Sequence, residues 1–312
     1  MTTRQPTIEL QGFAKWYGRV IAVNDVSISI GPGVTGLLGP NGAGKTSFLR
    51  CVAGLLRPSL GTIQVLQQTP WRNPLVAHRL GVCADGGYLM DELTPREFLS
   101  FDLSVRGLPP DQLDDRAVAA LKLFDLGHAL DRRIATLSRG TRQRVKLAQA
   151  FAFDPEVLLL DEPLSGIDPL ARAITVQRIK ERGAAGRCVV VSSHVLHEVE
   201  AMTEQVLLLH KGRLVAHGNA MEIRDLIDQH PVRIAVNCDR PRELAQLLVD
   251  LPSIRGVTFP EDRVVEFHTQ APDECYGAIP ARALASDIKI RSLTSPDASL
   301  EMLFRYLVGE GS

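Results

Sequence analysis

Eight consecutive residues carry the first chemistry this chain offers. Gly39, Pro40, Asn41, Gly42, Ala43, Gly44, Lys45 and Thr46 place four residues between a glycine and a Gly-Lys-Thr, the pattern of a loop that wraps phosphate groups. Glycines let successive backbone N–H groups converge on phosphate oxygens, and a helix starting near Gly44 adds the positive end of its dipole. In this arrangement Lys45 reaches the β and γ phosphates of a nucleotide and the Thr46 hydroxyl ligates magnesium. Ser47, the next residue, counts with them as a nucleotide contact.

A second group supplies what hydrolysis needs. In VLLLDEP, four apolar residues at 157–160 read as a buried strand that delivers Asp161 to the magnesium edge of the site, where a carboxylate can hold a metal-bound water. Glu162 follows and can act as general base toward the attacking water, a role that contributes about 10²–10⁴-fold. Alone, an acidic pair after an apolar strand suits an ordinary loop equally well; the upstream phosphate loop is what gives the pair its meaning. A third segment, Leu137-Ser138-Arg139-Gly140-Thr141-Arg142-Gln143-Arg144, opens a helix with a serine and a glycine. It is either a second phosphate-binding helix N-terminus or an N-capped helix with an arginine-rich, solvated face.

These residues need elements to hold them. The first 218 residues alternate short apolar runs with longer helical patterns, the α/β pattern of a parallel sheet covered by helices. Strands are expected at 34–39, 62–66, 157–160, 188–191 and 205–209, with KTSFLRCVAGLL as the helix after the phosphate loop. The stretch 94–153 reads as a helical subdomain inserted into the sheet and broken by a turn at 107–110. From Val232 the pattern changes: VRIAV is a strand and PRELAQLLVDL a helix. GVTF and VVEFH then flank the turn signal PEDR, and a helix and the strand IKIRSL follow. Strand, helix, strand, strand, helix, strand is the ferredoxin-like order, with SLEMLFRYLVG as a closing helix. Domains are therefore expected at 1–218 and 232–312, joined by a linker at 219–231. The second carries no catalytic constellation and reads as an accessory or dimer-supporting module.

Composition narrows the partners. A chain of 312 residues with 45% hydrophobic and 23% charged content fits two soluble, folded domains. The formal net charge of -1 lacks the basic footprint of phosphate-backbone binding, so no nucleic-acid partner is expected. The five cysteines (Cys51, Cys83, Cys188, Cys238 and Cys275) show no paired spacing and read as reduced, buried thiols. No run approaches the roughly 20 apolar residues that cross a bilayer, and MTTRQPTIEL lacks a signal-peptide core. Any membrane role is expected to come through docking.

With these motifs in order, residues 8–218 resemble the ATP-binding-cassette (ABC) transporter ATPases. Leu137 to Thr141, LSRGT, stands where that family has the signature LSGGQ. Tyr17, in KWYGRVIAVNDVS, matches the aromatic residue that stacks on adenine. Ser165-Gly166-Ile167-Asp168 resembles the loop that crosses the dimer interface, with Asp168 near the nucleotide, and His194, in VVVSSHVLHEVE, matches the histidine that contacts the γ phosphate. Arg139 and Thr141 depart from the signature, while Ser138 and Gly140, its phosphate-facing pair, are kept. Asp85 stands where the family usually has a glutamine that senses magnesium and contacts the permease. It is expected to bind magnesium directly or through water.

The resemblance implies a P-loop nucleoside-triphosphatase fold of the cassette type: a mixed sheet core with an inserted helical subdomain, plus the small C-terminal α+β ferredoxin-like domain. It implies ATP and Mg²⁺ as ligands, with Lys45, Glu162 and His194 catalytic, and ATP sandwiched between the phosphate loop of one chain and the signature helix of another. A homodimer is the expected pair, cytoplasmic and peripheral on the inner face of the membrane, driving a separate integral membrane permease. The single cassette, the DELTPREFLSF segment and the tail together resemble ATPases of bacterial type-2 exporters. The alternative is a non-transport cassette protein of DNA repair, chromosome structure or the ribosome. Those usually carry coiled-coil or zinc insertions, or two cassettes, and none is read here.

Overall fold

The computed structural model describes residues 7–219 and 232–294. They belong to two compact units, Met1–Ala220 and Met221–Ser312. In the first unit β1 (Ile8–Tyr17), β2 (Val20–Ile30) and β4 (Leu60–Val65) form an antiparallel sheet in the order β2-β1-β4. A six-stranded sheet runs β5-β6-β7-β3-β8-β9. In it β3 (Gly33–Leu38), β5 (Leu80–Cys83), β6 (Val157–Asp161), β7 (Cys188–Ser193) and β8 (Gln205–His210) are parallel, and β9 (Arg213–Asn219) returns antiparallel. The sheet is therefore mixed.

The strand expected at 62–66 beside the parallel strands belongs instead to the antiparallel sheet. Its burial shows why: in β4 only Ile63 and Val65 are buried, whereas every residue of β6 and β7 is. Continuous apolar runs mark strands covered on both faces, and alternation marks a strand covered on one.

Helices close both faces of the six-stranded sheet. On one side α1 (Lys45–Val52) lies between it and the antiparallel sheet, in a core containing Phe13, Phe48, Leu159 and Val190. The Phe13 and Phe48 rings meet edge to face at 6.1 Å. On the other side α3 (Pro95–Val105), α4 (Leu113–Leu123), α5 (Arg139–Ala152) and α6 (Pro169–Ala184) share a core with Leu99, Leu121, Phe151, Leu158 and Val189. The start of α3 is dictated locally. The Thr94 hydroxyl accepts from Glu97 N–H, the Glu97 carboxylate accepts from Thr94 N–H, and Pro95 occupies the first turn, the reciprocal cap that satisfies two orphan donors. The Thr94 N–H holds the Glu97 carboxyl below its ordinary range. Short helices α2 (Pro74–Ala77) and α7 (Leu196–Glu200), with 3-10 turns at Pro110–Gln112, Gly127–Ala129 and Ile134–Thr136, complete the described part of this unit.

The second unit contains, in order, β10 (Val232–Cys238), α8 (Pro241–Leu248), β11 (Ile254–Glu261), β12 (Val264–Thr269), α9 (Pro272–Ala285) and β13 (Ile290–Thr294). Its sheet is antiparallel throughout, ordered β11-β12-β10-β13. Ile234, Val236, Val265 and Phe267 face Leu244, Leu248, Cys275 and Ile279 of the two helices. The turn expected at PEDR shrinks to Asp262-Arg263, because β11 continues through Pro260 and Glu261. The edge position of β11 lets it carry a proline that cannot donate. The closing helix expected in SLEMLFRYLVG lies outside the described residues, as does the linker beyond Asn219.

Among the described residues no helix is long and apolar enough to cross a membrane. All five cysteines are buried free thiols. Burial pushes Cys83 and Cys188 up to about 12 and Cys51 to about 11, which keeps these thiols protonated and unreactive.

Candidate functional site

The loop from β3 to α1 holds six residues of the glycine pattern, Gly39 to Gly44, and Lys45 and Thr46 open the helix. At its last glycine, Gly44, φ is +107°, and a Cβ there would stand 2.1 Å from the Ala22 carbonyl oxygen. Only glycine fits, since the backbone conformation and the approach of β2 both exclude a side chain. Lys45, the first residue of α1, is 6% exposed. Its Nζ donates to Gly39 O at 2.6 Å and Pro40 O at 3.3 Å, and lies 3.3 Å from Glu162 Oε1. A buried ammonium is retained only with such partners. Around this loop a cavity of about 270 Å³ is lined by Val20, Ile21 and Ala22, the residues from Pro40 to Ser47, Asp85 and Glu162.

Strand β6 ends at Asp161, which is buried. Thr46 Oγ1 donates to Asp161 Oδ2 at 2.7 Å, and Ser192 Oγ donates to Asp161 Oδ1 at 2.5 Å. The same serine oxygen accepts the Glu162 N–H at 3.0 Å. Ser192 is fully buried and stands opposite Asp161 in the parallel pairing of β6 with β7. The sequence reading missed it, although the polar end of the apolar run VVVSSH is a visible mark. Glu162 itself has φ +46°, a left-handed conformation rare for residues other than glycine and worth about 1–3 kcal/mol of strain that the surroundings must hold. Its carboxylate sits between Lys45 and His194, whose Nδ1 is 3.0 Å from Glu162 Oε2.

The remaining residues divide into two groups. Tyr17 OH lies 3.3 Å from Ser47 Oγ at the mouth of the loop, the residue is 44% exposed, and Lys15 Nζ lies 5.2 Å from the ring centroid. Asp85 lines the cavity with Lys45, Thr46 and Glu162. Ser138, Arg139, Gly140, Thr141 and Asp168 do not line it. Ser138 caps α5, its Oγ accepting from Thr141 N at 3.2 Å and sharing a hydrogen bond with Thr141 Oγ1 at 2.8 Å. Asp168 caps α6 by accepting from Ala171 N at 2.9 Å, and this backbone bond holds its carboxyl below the usual range. The first turn of α5 touches the loop after Glu162: a Cβ on Gly140 would be 2.7 Å from Gly166 O.

A divalent metal can be tested against these donors. The Thr46 hydroxyl and Asp161 carboxylate are adjacent hard oxygens, and the described residues offer no group of three or more His, Cys, Asp or Glu side chains that could hold a metal ion. Magnesium is typically bound by one or two carboxylates together with substrate phosphates rather than by an all-protein cage. The donor set fits a metal that arrives with a nucleotide.

The comparisons agree with this geometry. Residues 23–165 match the family model described as ABC transporter. The chain is 34% identical over 248 residues to the Nod factor export ATP-binding protein I of Rhizobium johnstonii, covering 77% of this chain and 78% of that one. It is 30% identical to the daunorubicin/doxorubicin resistance ATP-binding protein of Streptomyces peucetius, covering 98% of this chain and 94% of the relative. Among solved structures, an ATP-binding subunit of an ABC transporter superposes with a TM-score of 0.65 at 27% identity, over 71% of this chain and 93% of that one. A loop that holds a lysine against two of its own carbonyls, a hydroxyl–carboxylate pair and a flanked glutamate thus occur in a chain with this ancestry: it belongs to the family of ABC transporter ATP-binding proteins.

Proposed function

We propose that the chain is the ATP-hydrolysing subunit of an exporter whose membrane-spanning permease is a separate protein. The observation that carries the reading is the convergence of Lys45, Thr46, Asp161, Glu162 and His194 at one loop, in a chain whose relatives include a Nod factor export protein and a drug-resistance ATP-binding protein. ATP binds with its phosphates against residues Gly39 to Ser47 and its adenine on the exposed ring of Tyr17. Lys45 turns from its own loop carbonyls to the β and γ phosphates. Thr46 and Asp161 hold Mg²⁺, which neutralises phosphate charge when bound. Glu162 takes a proton from the attacking water, and His194 orients the Glu162 carboxylate and meets the γ phosphate.

Ser138, Arg139, Gly140, Thr141 and Asp168 lie outside their own chain's cavity, which suits contact with nucleotide held by a second copy. In this reading two identical chains pair head to tail, and hydrolysis releases the pair. The retained Ser138 and Gly140 preserve the phosphate-facing part of the signature. Nucleotide domain and tail divide near 218–232. The second unit is a ferredoxin-like accessory domain, supported by its βαββαβ order and its sheet order β11-β12-β10-β13.

Permease contact fits the cleft of about 320 Å³ beside the Asp85 loop, lined by Leu55, Ala77, Tyr88, Arg106 and Lys146 among others. Tyr88 is 81% and Leu55 57% exposed, and an apolar groove with a basic rim suits a short amphipathic helix. In this reading the chain works in the cytoplasm, peripheral on the inner face of a membrane. Mild-detergent purification of tagged full-length chain is expected to recover an integral membrane protein, with recovery lost in Tyr88→Asp. Recovery of only soluble or nucleic-acid-bound partners counts against the exporter reading.

Asp85 gives a separate test. A carboxylate lining the cavity with Thr46 and Glu162 is in place to bind Mg²⁺ directly or through water. Asp85→Ala is expected to raise the Mg²⁺ concentration that half-saturates ATP hydrolysis. An unchanged Mg²⁺ titration sinks this role.

A further inference from the structure

We propose that Gln143 is a positioning residue for Glu162, tying the carboxylate to the helix that meets the partner's nucleotide. The inference rests on the reading of Glu162 as general base. Glu162 lies in a left-handed backbone conformation at φ +46°, which a glutamate occupies only where neighbours hold it. Two side chains outside the nucleotide loop hold its backbone. On the amide side, Ser192 Oγ accepts the Glu162 N–H at 3.0 Å. On the carbonyl side, Gln143 Nε2 lies 3.4 Å from both Glu162 O and Pro163 O, a shared donor at the long end of the hydrogen-bond range.

The placement of Gln143 gives this contact its consequence. Gly140 and Gln143 are three residues apart on α5, hence on one face of the helix. Both face the segment from Glu162 to Asp168. Gly140 approaches it at Gly166, where a Cβ would stand 2.7 Å from the carbonyl oxygen, and Gln143 approaches it at Glu162 and Pro163. The segment that contains the base therefore rides on the first turns of α5. Gln143 Nε2 also lies 3.8 Å from Cys83 Sγ, at the end of β5 and two residues before Asp85. One half-buried amide thus joins the Glu162 loop, the start of the Asp85 loop and the helix capped by Ser138. A displacement of α5 when Ser138 and Gly140 engage a nucleotide is carried by Gln143 to Glu162, so that each chain's base responds to the neighbouring site.

The test is Gln143→Met, which keeps length and removes the donors, with Gln143→Asn, which keeps the amide and falls one methylene short. Both are expected to lower kcat about tenfold to a hundredfold, since misplacing a reacting group by about an ångström costs about 10²-fold. KM for ATP and the melting temperature are expected to stay at wild-type values. Added to Glu162→Gln, Gln143→Met is expected to cause no further loss of turnover and to leave the ATP-dependent dimer on a sizing column intact, the non-additivity of two residues that act as one unit. Wild-type kcat in either single variant overturns the proposal. So does a fall in kcat matched by falls in melting temperature and ATP affinity, or an additive loss in the double variant. If Glu162→Gln alone turns over at the wild-type rate, the base reading itself fails and takes the proposal with it.

Discussion

Glu162→Gln is expected to bind ATP and cut its turnover by about 10²–10⁴-fold, while the protein accumulates as a dimer when ATP is present. The argument begins with shape. Glutamine fills the same space, and the backbone contacts that hold residue 162, from Ser192 on its N–H and Gln143 near its carbonyl, do not depend on the side-chain charge. Lys45 loses an ion pair at 3.3 Å but keeps its bonds to Gly39 O and Pro40 O, so the phosphate loop stays formed. What disappears is the acceptor for the water's proton. ATP then holds the pair closed without the event that opens it. Steady-state phosphate release and size-exclusion chromatography with and without ATP-Mg²⁺ read the two effects separately. A variant that stays monomeric with ATP bound refutes the paired mechanism, and one that hydrolyses at the wild-type rate refutes the role of Glu162.

The parts of this site that were legible in the sequence are those where chemistry dictates residue type at short range. A phosphate loop needs glycines, a lysine and a hydroxyl in fixed spacing, and the eight positions run from the turn after β3 into the first two residues of α1. The strand ending in Asp161 announces itself by four apolar residues, and every one is buried. The partners of Ser192 and Gln143 were not legible, because their contacts depend on pairing across long separations, even though the polar end of VVVSSH marks Ser192 itself. Ser192 meets Asp161 and Glu162 only through the register of β6 against β7, and Gln143 reads as one more polar residue on a solvated helix until α5 is seated under the Glu162 loop.

A similar division runs through the fold. Alternation of apolar residues separates β4 from the parallel strands, yet reading 62–66 as one more short apolar run in the α/β alternation put it in the wrong sheet. In the second unit, alternation in VRIAV and VVEFH named the strands, while the hairpin turn was placed two residues early because Pro260 is a turn residue by composition. An edge strand tolerates it.

Pairing of sites between chains yields the other large effect. Gly44→Ala is expected to abolish ATP binding, because the new Cβ would lie 2.1 Å from the Ala22 carbonyl oxygen at a residue with φ +107°. The loop must move, and with it the N–H groups aimed at phosphate. Ser138→Asp is expected to bind ATP and fail to hydrolyse it. An aspartate keeps the cap on α5 that Ser138 makes to Thr141 N, and its carboxylate repels phosphate held by the partner. Alone, each variant has no complete site. A mixed pair has one, built from the intact phosphate loop and Glu162 of the Ser138→Asp chain and the intact α5 terminus of the Gly44→Ala chain. With equal amounts mixed at random, half the pairs are mixed and each has one of two sites, so about a quarter of wild-type ATPase activity is expected to return. If each site were built within one chain, mixing would restore nothing, because neither chain holds both intact parts. Activity of the mixture against the sum of its components therefore decides between head-to-tail exchange and a site closed within one chain.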